Sequence, residues 1–130
     1  ANNVALAGHI EVGDHVWFGG QAAVHQFTRI GQNAFIGGGA ILVEDVIPFG
    51  SVVGNHAKLS GLNMVGLKRR GFDKNQLMEI RSAYKAVFFG EGLFKDRLAQ
   101  AAIDFAEKPL AMELITFIQV GGDRPICKPA

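Results

Sequence analysis

The sequence predicts a mainly β protein with an α-helical cap, in which a parallel β-solenoid is followed by a small C-terminal helical domain. Two observations predict this fold. An unbroken six-residue repeat occupies residues 1–46, and from Asp73 onwards the apolar residues follow a helical period instead. We place the boundary after Leu62, so that residues 1–62 form the solenoid coils and residues 63–130 the helical domain.

The repeat has a large apolar residue at the first position of every hexad and a smaller inward residue at the fifth. The first positions are Leu6, Val12, Phe18, Val24, Ile30, Ile36 and Leu42. The fifth positions are Ile10, Val16, Ala22, Thr28, Ala34, Ala40 and Val46. Alternating separations of four and two residues put both positions on the same side of an extended strand. Short strands joined by tight turns fit this pattern, and three hexads then make one triangular coil of a stacked solenoid.

Glycine often follows the large apolar residue of a hexad. It does so at Gly13, Gly19, Gly31 and Gly37. This preference indicates that the chain bends there, with little room for a Cβ atom.

The two ends of the repeat carry different expectations. Ala1 stands in the middle of a hexad, and the complete hexads make only a little over two coils, so we expect further coils before Ala1. At the other end the register breaks at Pro48. We expect residues 49–62 to form the terminal coil, with Gly50, Gly54 and Gly61 as its turns.

Three helices are predicted after residue 72. The first begins at the N-cap Asp73, where Gln76 completes a capping box, and ends before Gly90. Its apolar face consists of Leu77, Ile80, Tyr84, Val87 and Phe88. The second helix is expected to direct one apolar face inward, which consists of Phe94, Leu98, Ala101, Ala102 and Phe105. The third begins at Pro109 and runs towards Gly121, and the three together are expected to cover the end of the solenoid.

The composition excludes several classes of function. Thirteen basic and twelve acidic residues nearly cancel, so no overall field favours nucleic acid or an anionic membrane. No apolar run reaches the length of about 18 residues that a membrane span needs. The single cysteine, Cys127, cannot form an intramolecular disulfide, which suits a reducing compartment, and we expect a cytoplasmic protein.

The histidines are the first candidate functional residues. They are His9, His15, His25 and His56. A surface histidine is by default only a polar side chain. However, His25 replaces the small residue that the repeat has at its position, and His9 follows Gly8 almost one coil earlier, so we favour a site at these two. Zinc is a rival use, but a catalytic zinc needs three protein ligands and we find two, so no metal is expected.

The basic triplet Lys68-Arg69-Arg70 is the second candidate. It lies between Gly66 and Gly71 at the entry to the helical domain. Most charge triplets are only solvated, but planar guanidinium groups on a glycine-bounded loop suit the oxygens of a diphosphate.

Several motifs resemble one family of hexapeptide-repeat acyltransferases. Residues 6–9 read Leu-Ala-Gly-His, residues 19–27 read Gly-Gly-Gln-Ala-Ala-Val-His-Gln-Phe, and residues 66–72 read Gly-Leu-Lys-Arg-Arg-Gly-Phe. Asp-Val-Ile-Pro at 45–48 and Gly-Asn-His-Ala at 54–57 add to them. In these motifs and their spacing the chain is similar to the C-terminal part of the acyl-carrier-protein-dependent UDP-N-acetylglucosamine O-acyltransferases.

The resemblance implies a left-handed parallel β-helix with a C-terminal helical domain, assembled as a homotrimer with active sites between subunits. It implies transfer of a 3-hydroxyacyl group from acyl carrier protein to the 3-hydroxyl of UDP-N-acetylglucosamine, the first step of lipid A synthesis. No cofactor is implied beyond the phosphopantetheine that the carrier protein bears.

The resemblance also implies roles for individual residues. The N–H of Gly8 would bind the oxyanion and His9 would position the sugar, whereas the general base would lie about one coil before His9, outside this chain. We therefore expect the 130 residues alone to be inactive. The implied substrate-binding residues are His25, Gln26, Asn63, Arg69 and Arg70. Val65 stands where some relatives carry an acidic residue, so that nucleotide contact of the relatives is not carried over to this chain.

The resemblance places the acyl chain in a groove at Gly20, Gly38 and His56. In this family a small residue at the end of the groove admits longer chains, and Gly38 matches that position. We therefore predict a long donor such as 3-hydroxytetradecanoyl rather than a ten-carbon one.

Two other functions stay open. A related N-acyltransferase or an acetyl-CoA-dependent enzyme would share the repeat, but the Lys-Arg-Arg motif and the three-helix cap argue against both. A non-catalytic trimeric β-helix scaffold is the alternative from a different class. A histidine on the upstream coil facing His9 would distinguish the enzyme from the scaffold.

Overall fold

The computed structural model describes all 130 residues, and its first part consists of short strands at regular intervals. The seven two-residue strands are β1 Ala5–Leu6, β2 Glu11–Val12, β3 Trp17–Phe18, β4 Ala23–Val24, β5 Arg29–Ile30, β6 Phe35–Ile36 and β7 Ile41–Leu42. Two longer strands follow, β8 Gly50–Val53 and β9 Lys58–Leu62.

Successive strands belong to three different sheets, which form the sides of a three-sided stack. Face A contains β1, β4 and β7, face B contains β2 and β5, and face C contains β3, β6, β8 and β9 in that order. Strands from β1 to β8 pair in parallel, with Ala5 opposite Ala23 and Trp17 opposite Phe35. One coil is therefore eighteen residues, or three hexads, as the repeat predicts.

The predicted inward positions form the core of the stack. All eight first and fifth positions from Ala22 to Leu42 have 4% or less of their surface exposed. They are Ala22, Val24, Thr28, Ile30, Ala34, Ile36, Ala40 and Leu42. Leu6 and Val12 in the first coil are 50% and 43% exposed because no coil covers them on one side.

The glycines after the large apolar residues are explained by the close approach of the next coil, and not by the backbone conformation of the bend. A Cβ added to Gly13 would lie 2.6 Å from the backbone nitrogen of Gln32 in the next coil, so the predicted lack of room is correct. The left-handed backbone that turns the corner occurs two residues later, as at His15 (φ 60°) and Gln21 (φ 65°). Side chains therefore project from the corners at a fixed position of each hexad.

The prediction that residues 49–62 form another coil is wrong in its second half. β8 continues face C in parallel, but the chain then reverses and β9 pairs with β8 in the antiparallel sense. Gly54 turns the chain with φ 96°, Gly50 lies within β8, and Gly61 lies in β9 with φ 138°, next to the irregular register of this pair. On its other edge β9 meets the C-terminal residues, because the Leu59 N–H donates to the Lys128 carbonyl at 3.0 Å in a parallel bridge with Pro129, so the far edge of face C is covered.

Four helices follow the strands. They are α1 Met64–Arg69, α2 Lys74–Phe88, α3 Phe94–Asp104 and α4 Pro109–Gly121. The Asp73 and Gln76 side chains form the predicted capping box of α2, and Pro109 begins α4 as expected. The short helix α1 was not predicted. The strands and α2–α4 share one apolar core, which also buries Cys127.

None of these helices combines the length and the apolar character needed to cross a membrane.

Candidate functional site

A cavity of about 560 Å³ lies between the outer surface of face C and α1. Its lining residues come from three coils and from the start of the helical domain. They are His15, Trp17, Asn33, Phe35, Ser51, Leu62, Asn63, Met64, Val65, Gly66, Arg69 and Arg70. Trp17 and Phe35 stack on successive coils with ring centroids 6.2 Å apart and form its aromatic wall. Three substrate-binding residues predicted from the sequence, Asn63, Arg69 and Arg70, therefore meet in one place.

The position of α1 depends on a small apolar cluster at one corner of the stack. Phe49 turns this corner with φ 68° and is fully buried, and it packs with Leu67 of α1. The Phe72 ring meets the Phe49 ring edge-on at 6.1 Å. These contacts anchor both ends of the basic triplet against the stack.

The basic triplet is helical rather than a loop, which corrects the prediction for Lys68-Arg69-Arg70. Lys68 and Arg69 form the last turn of α1, and Arg70 is its C-cap, with its N–H bonded to the Gly66 carbonyl. Cations are favoured at this negative end of a helix. Gly66 lies within α1, and glycine is needed there because a Cβ would collide with the Asn63 side chain that caps the helix.

Asn63 joins the stack to α1. Its Nδ2 donates to the Asn33 carbonyl at 2.9 Å, and its Oδ1 accepts from the Gly66 N–H at 3.2 Å. An asparagine amide has two N–H groups and two oxygen lone pairs, so one of each stays available. Its first task is thus to cap α1 and to fix the cavity wall.

Arg70 also contacts a residue that the sequence did not place in this site. Its Nη2 lies 2.6 Å from Nε2 of His15. No aspartate or glutamate lines the cavity. The charges of Arg69 and Arg70 consequently stand in a concave space without a carboxylate to neutralise them, which is the electrostatic environment of an anion site.

The residues around Gly8 occupy a different corner, between faces A and B. The stacking period is eighteen residues, so His9 lies against Phe27 with ring centroids 5.1 Å apart, and not against His25. A Cβ on Gly8 would be 3.7 Å from Nε2 of Gln26. The N–H of Gly8 donates to no group of the chain, a property that Gly20 and Gly38 share at the same turn position, so it does not by itself mark Gly8.

The predicted groove residues lie at the third corner, between faces C and A. Gly20 and Gly38 stack there, and the Gly39 N–H donates to the Gly20 carbonyl at 2.9 Å. His56 is in the turn that follows β8, the strand above β6 on face C. The structure thus brings these three residues to one corner, away from Gly8 and His9.

A larger groove of about 840 Å³ lies between face B and α4 and contains none of the predicted site residues. Its charged lining consists of Glu11, Asp14, Arg29 and Glu113. Nowhere in the chain do three histidine, cysteine, aspartate or glutamate side chains cluster as a metal site requires.

The family comparison covers most of the chain. A family model described as UDP-N-acetylglucosamine O-acyltransferase, domain 2, matches residues 45–127. A curated acyl-[acyl-carrier-protein]–UDP-N-acetylglucosamine O-acyltransferase from Agrobacterium fabrum is 45% identical over 99% of this chain and 48% of its own length. The protein of the same name from Sinorhizobium fredii is 43% identical over the same shares. The chain spans about half the length of these curated relatives.

Solved structures agree. The UDP-N-acetylglucosamine acyltransferase of Arabidopsis superimposes with a TM-score of 0.91 at 36% identity, over 98% of this chain and 47% of that one. The enzyme of Francisella novicida gives 0.88 at 30% identity, over 97% and 46%. These matches confirm the resemblance seen in the motifs, and the chain belongs to the UDP-N-acetylglucosamine O-acyltransferase family.

Proposed function

We propose that the full-length protein transfers a 3-hydroxyacyl group from acyl carrier protein to the 3-hydroxyl of UDP-N-acetylglucosamine, the first step of lipid A biosynthesis. The observation that carries the proposal is the cavity in which Arg69 and Arg70 meet without a carboxylate. The names of the curated relatives support the same donor and acceptor.

The cavity suits the diphosphate of a nucleotide sugar. Two guanidinium groups on adjacent residues can each give paired hydrogen bonds to phosphate oxygens. In this proposal Arg70 binds phosphate, while Arg69 and the free amide groups of Asn63 contact the nucleotide. Val65 is 63% exposed at the rim and offers no polar group to the ribose or the base.

The arrangement of the corners supports an assembled enzyme. The nucleotide cavity lies on face C, whereas the corner with Gly8, His9, His25 and Gln26 is between faces A and B, on the opposite side of a three-sided stack. One chain therefore cannot bring these groups to one substrate. A homotrimer of left-handed β-helices, in which a neighbour presents its histidine corner to face C, joins them in an active site between subunits.

The chemistry is an acyl transfer from a thioester to a hydroxyl. A general base outside these 130 residues takes the proton of the sugar 3-hydroxyl, and the oxygen attacks the thioester carbonyl. The N–H of Gly8 stabilises the oxyanion of the tetrahedral intermediate, and His9 orients the sugar while His25 and Gln26 contact the nucleotide-sugar. The carbon–sulfur bond then breaks, and the phosphopantetheine of the carrier protein leaves as a thiolate. No further cofactor takes part.

The remaining parts of the chain serve binding and closure. The acyl chain lies along the corner formed by Gly20, Gly38 and His56, where two of the three residues have no side chain. Residues 1–62 supply coils of the β-helix, and residues 63–130 form the helical domain that covers its end. The lone buried cysteine suits a reducing compartment, and the enzyme is expected to act in the cytoplasm.

The decisive experiment measures transfer of a radiolabelled 3-hydroxyacyl group from carrier protein to UDP-N-acetylglucosamine by the full-length protein. Arg70→Ala should raise the KM for the nucleotide sugar about tenfold or more, because a charged hydrogen-bond partner of the phosphate is lost. Arg81→Ala is the matched control, since Arg81 is exposed on α2 and lies outside the cavity. An unchanged KM in Arg70→Ala would contradict the phosphate role.

The same assay separates the two alternatives. Transfer to the amino group of a 3-O-acylated UDP-glucosamine, and none to UDP-N-acetylglucosamine, would establish the N-acyltransferase. A protein that trimerises but transfers to neither acceptor would be a scaffold.

A further inference from the structure

The contact between Arg70 and His15 has a defined chemistry. The His15 ring is the one side chain that bonds to the Arg70 guanidinium, through Nη2 and Nε2 at 2.6 Å. A guanidinium has only donors, so Nε2 must be the acceptor. The imidazole in this contact is therefore neutral, with its proton on Nδ1.

Both partners are held by the fold. His15 turns the corner between β2 and β3 with φ 60°, and the carbonyl of its neighbour Asp14 accepts from the Asn33 N–H at 2.8 Å. Arg70 ends α1, which is anchored through Leu67 on the buried Phe49. The acceptor thus sits on a fixed turn of the stack, and the donor extends from a fixed helix end.

A neutral acceptor differs from a carboxylate in its effect on the charge of Arg70. It restricts the rotamers of a long arginine side chain, so that less conformational entropy is lost when an anion binds. It does so without cancelling the positive charge that attracts the anion, because the cavity contains no acidic side chain. Aspartate at the same place would hold Arg70 equally well but would weaken the attraction for phosphate.

We propose that His15 is a positioning residue for the nucleotide diphosphate: it presets the guanidinium of Arg70 in the cavity and leaves its charge free. The inference rests on the proposed function, since it assigns a role to His15 within the same site. His15 itself need not touch the substrate.

The repeat provides two tolerated replacements. Phe27 and Gln21 occupy the equivalent turn position on the other corners, with φ 67° and 65°, so both residue types adopt this backbone. His15→Phe removes the acceptor but keeps a ring, whereas His15→Gln restores an acceptor at about the same distance from the main chain. Gln21→Phe is the control, because it introduces the same side chain at an exposed corner outside the cavity.

The test is calorimetric titration of the full-length protein with UDP, with thermal unfolding of each variant alongside. His15→Phe should weaken UDP binding about 3- to 10-fold, as expected for one hydrogen bond to a charged group. His15→Gln should return to within about twofold of wild type, and Gln21→Phe should bind as wild type does. In an Arg70→Ala background, His15→Phe should have no further effect, because the two residues act as one unit.

Each outcome bears on one proposal or the other. If UDP does not bind, or Arg70→Ala does not weaken binding, the proposed nucleotide site fails and the role of His15 with it. If Arg70→Ala weakens binding while His15→Phe does not, only the role of His15 is overturned. It is also overturned if His15→Gln stays as weak as His15→Phe, or if Gln21→Phe weakens binding equally.

Discussion

The carboxylate of Asp45 and the guanidinium of Arg124 meet at 2.9 Å, although 79 residues separate them in the chain. Asp45 is 1% exposed, and Arg29 donates to it through both its backbone N–H and its Nε. The backbone joins the same parts, because the Asp45 N–H donates to the Pro125 carbonyl and the Cys127 N–H to the Asp45 carbonyl. This network fastens the last residues of the chain to the stacked strands.

Loss of the Asp45 charge should destabilise the protein. Asp45→Asn leaves Arg29, which is largely buried, without its anionic partner, and we expect the free energy of unfolding to fall by about 3 kcal/mol. Denaturant unfolding measures it. The control is Asp123→Asn at an exposed position without an ion pair, where the change should stay within about 0.5 kcal/mol. Equal losses in the two variants would show that the network adds nothing.

The same carboxylate predicts a pH dependence. Burial acts to raise the pKa of Asp45, but the hydrogen bonds from Arg124 and Arg29 outweigh it and hold the pKa below its usual value of 3.8. A lowered pKa in the folded state means that the stabilisation is complete above 3.8 and is lost as the pH falls through the folded value. The difference in unfolding free energy between wild type and Asp45→Asn should be constant near neutral pH and shrink in acid. A difference that grows below pH 4 would refute this.

The close stacking of coils should make two similar glycines behave differently. A Cβ on Gly31 would collide with the backbone of Pro48 in the next coil, so Gly31→Ala should cost about 2 kcal/mol of stability. A Cβ on Gly38 would lie 3.5 Å from the Gly20 carbonyl oxygen, an ordinary contact, and Gly38→Ala should change stability by less than about 0.5 kcal/mol. Thermal or denaturant unfolding of the pair compares them directly. The stacking explanation is wrong if Gly31→Ala is as stable as Gly38→Ala.

Gly38 also carries the prediction about chain length. This exposed corner can accommodate a side chain without a steric clash, and methionine there would fill the end of the proposed acyl groove. Gly38→Met should shift the ratio of kcat/KM from the 3-hydroxytetradecanoyl donor towards the 3-hydroxydecanoyl donor by about tenfold or more. UDP binding, measured in parallel, should not change. A variant that keeps its preference for the long donor would remove Gly38 from the groove.

The sequence by itself determined the local and repetitive parts of the structure. Every hexad repeats the same inward positions, so the period alone predicts three-sided coils, and the capping box at Asp73 and the proline at Pro109 mark helix starts through contacts within one turn. The motifs likewise identified the family, and the resemblance assigned Asn63, Arg69 and Arg70 to one binding site. These three residues lie within a short stretch of the chain, so a sequence comparison can find them together.

Only the tertiary structure decided which distant residues meet. His15 and Arg70 are 55 residues apart, and their contact exists because Leu67 and Phe72 pack on Phe49 and fold α1 back over the stack. The reversal of β9 and the ion pair of Asp45 are decided in the same way, by pairing and packing partners that no short window contains. A repeat determines the structure of each coil, because its interactions are periodic. The candidate site forms where the repeat ends, and it depends on tertiary contacts that occur only once in the chain.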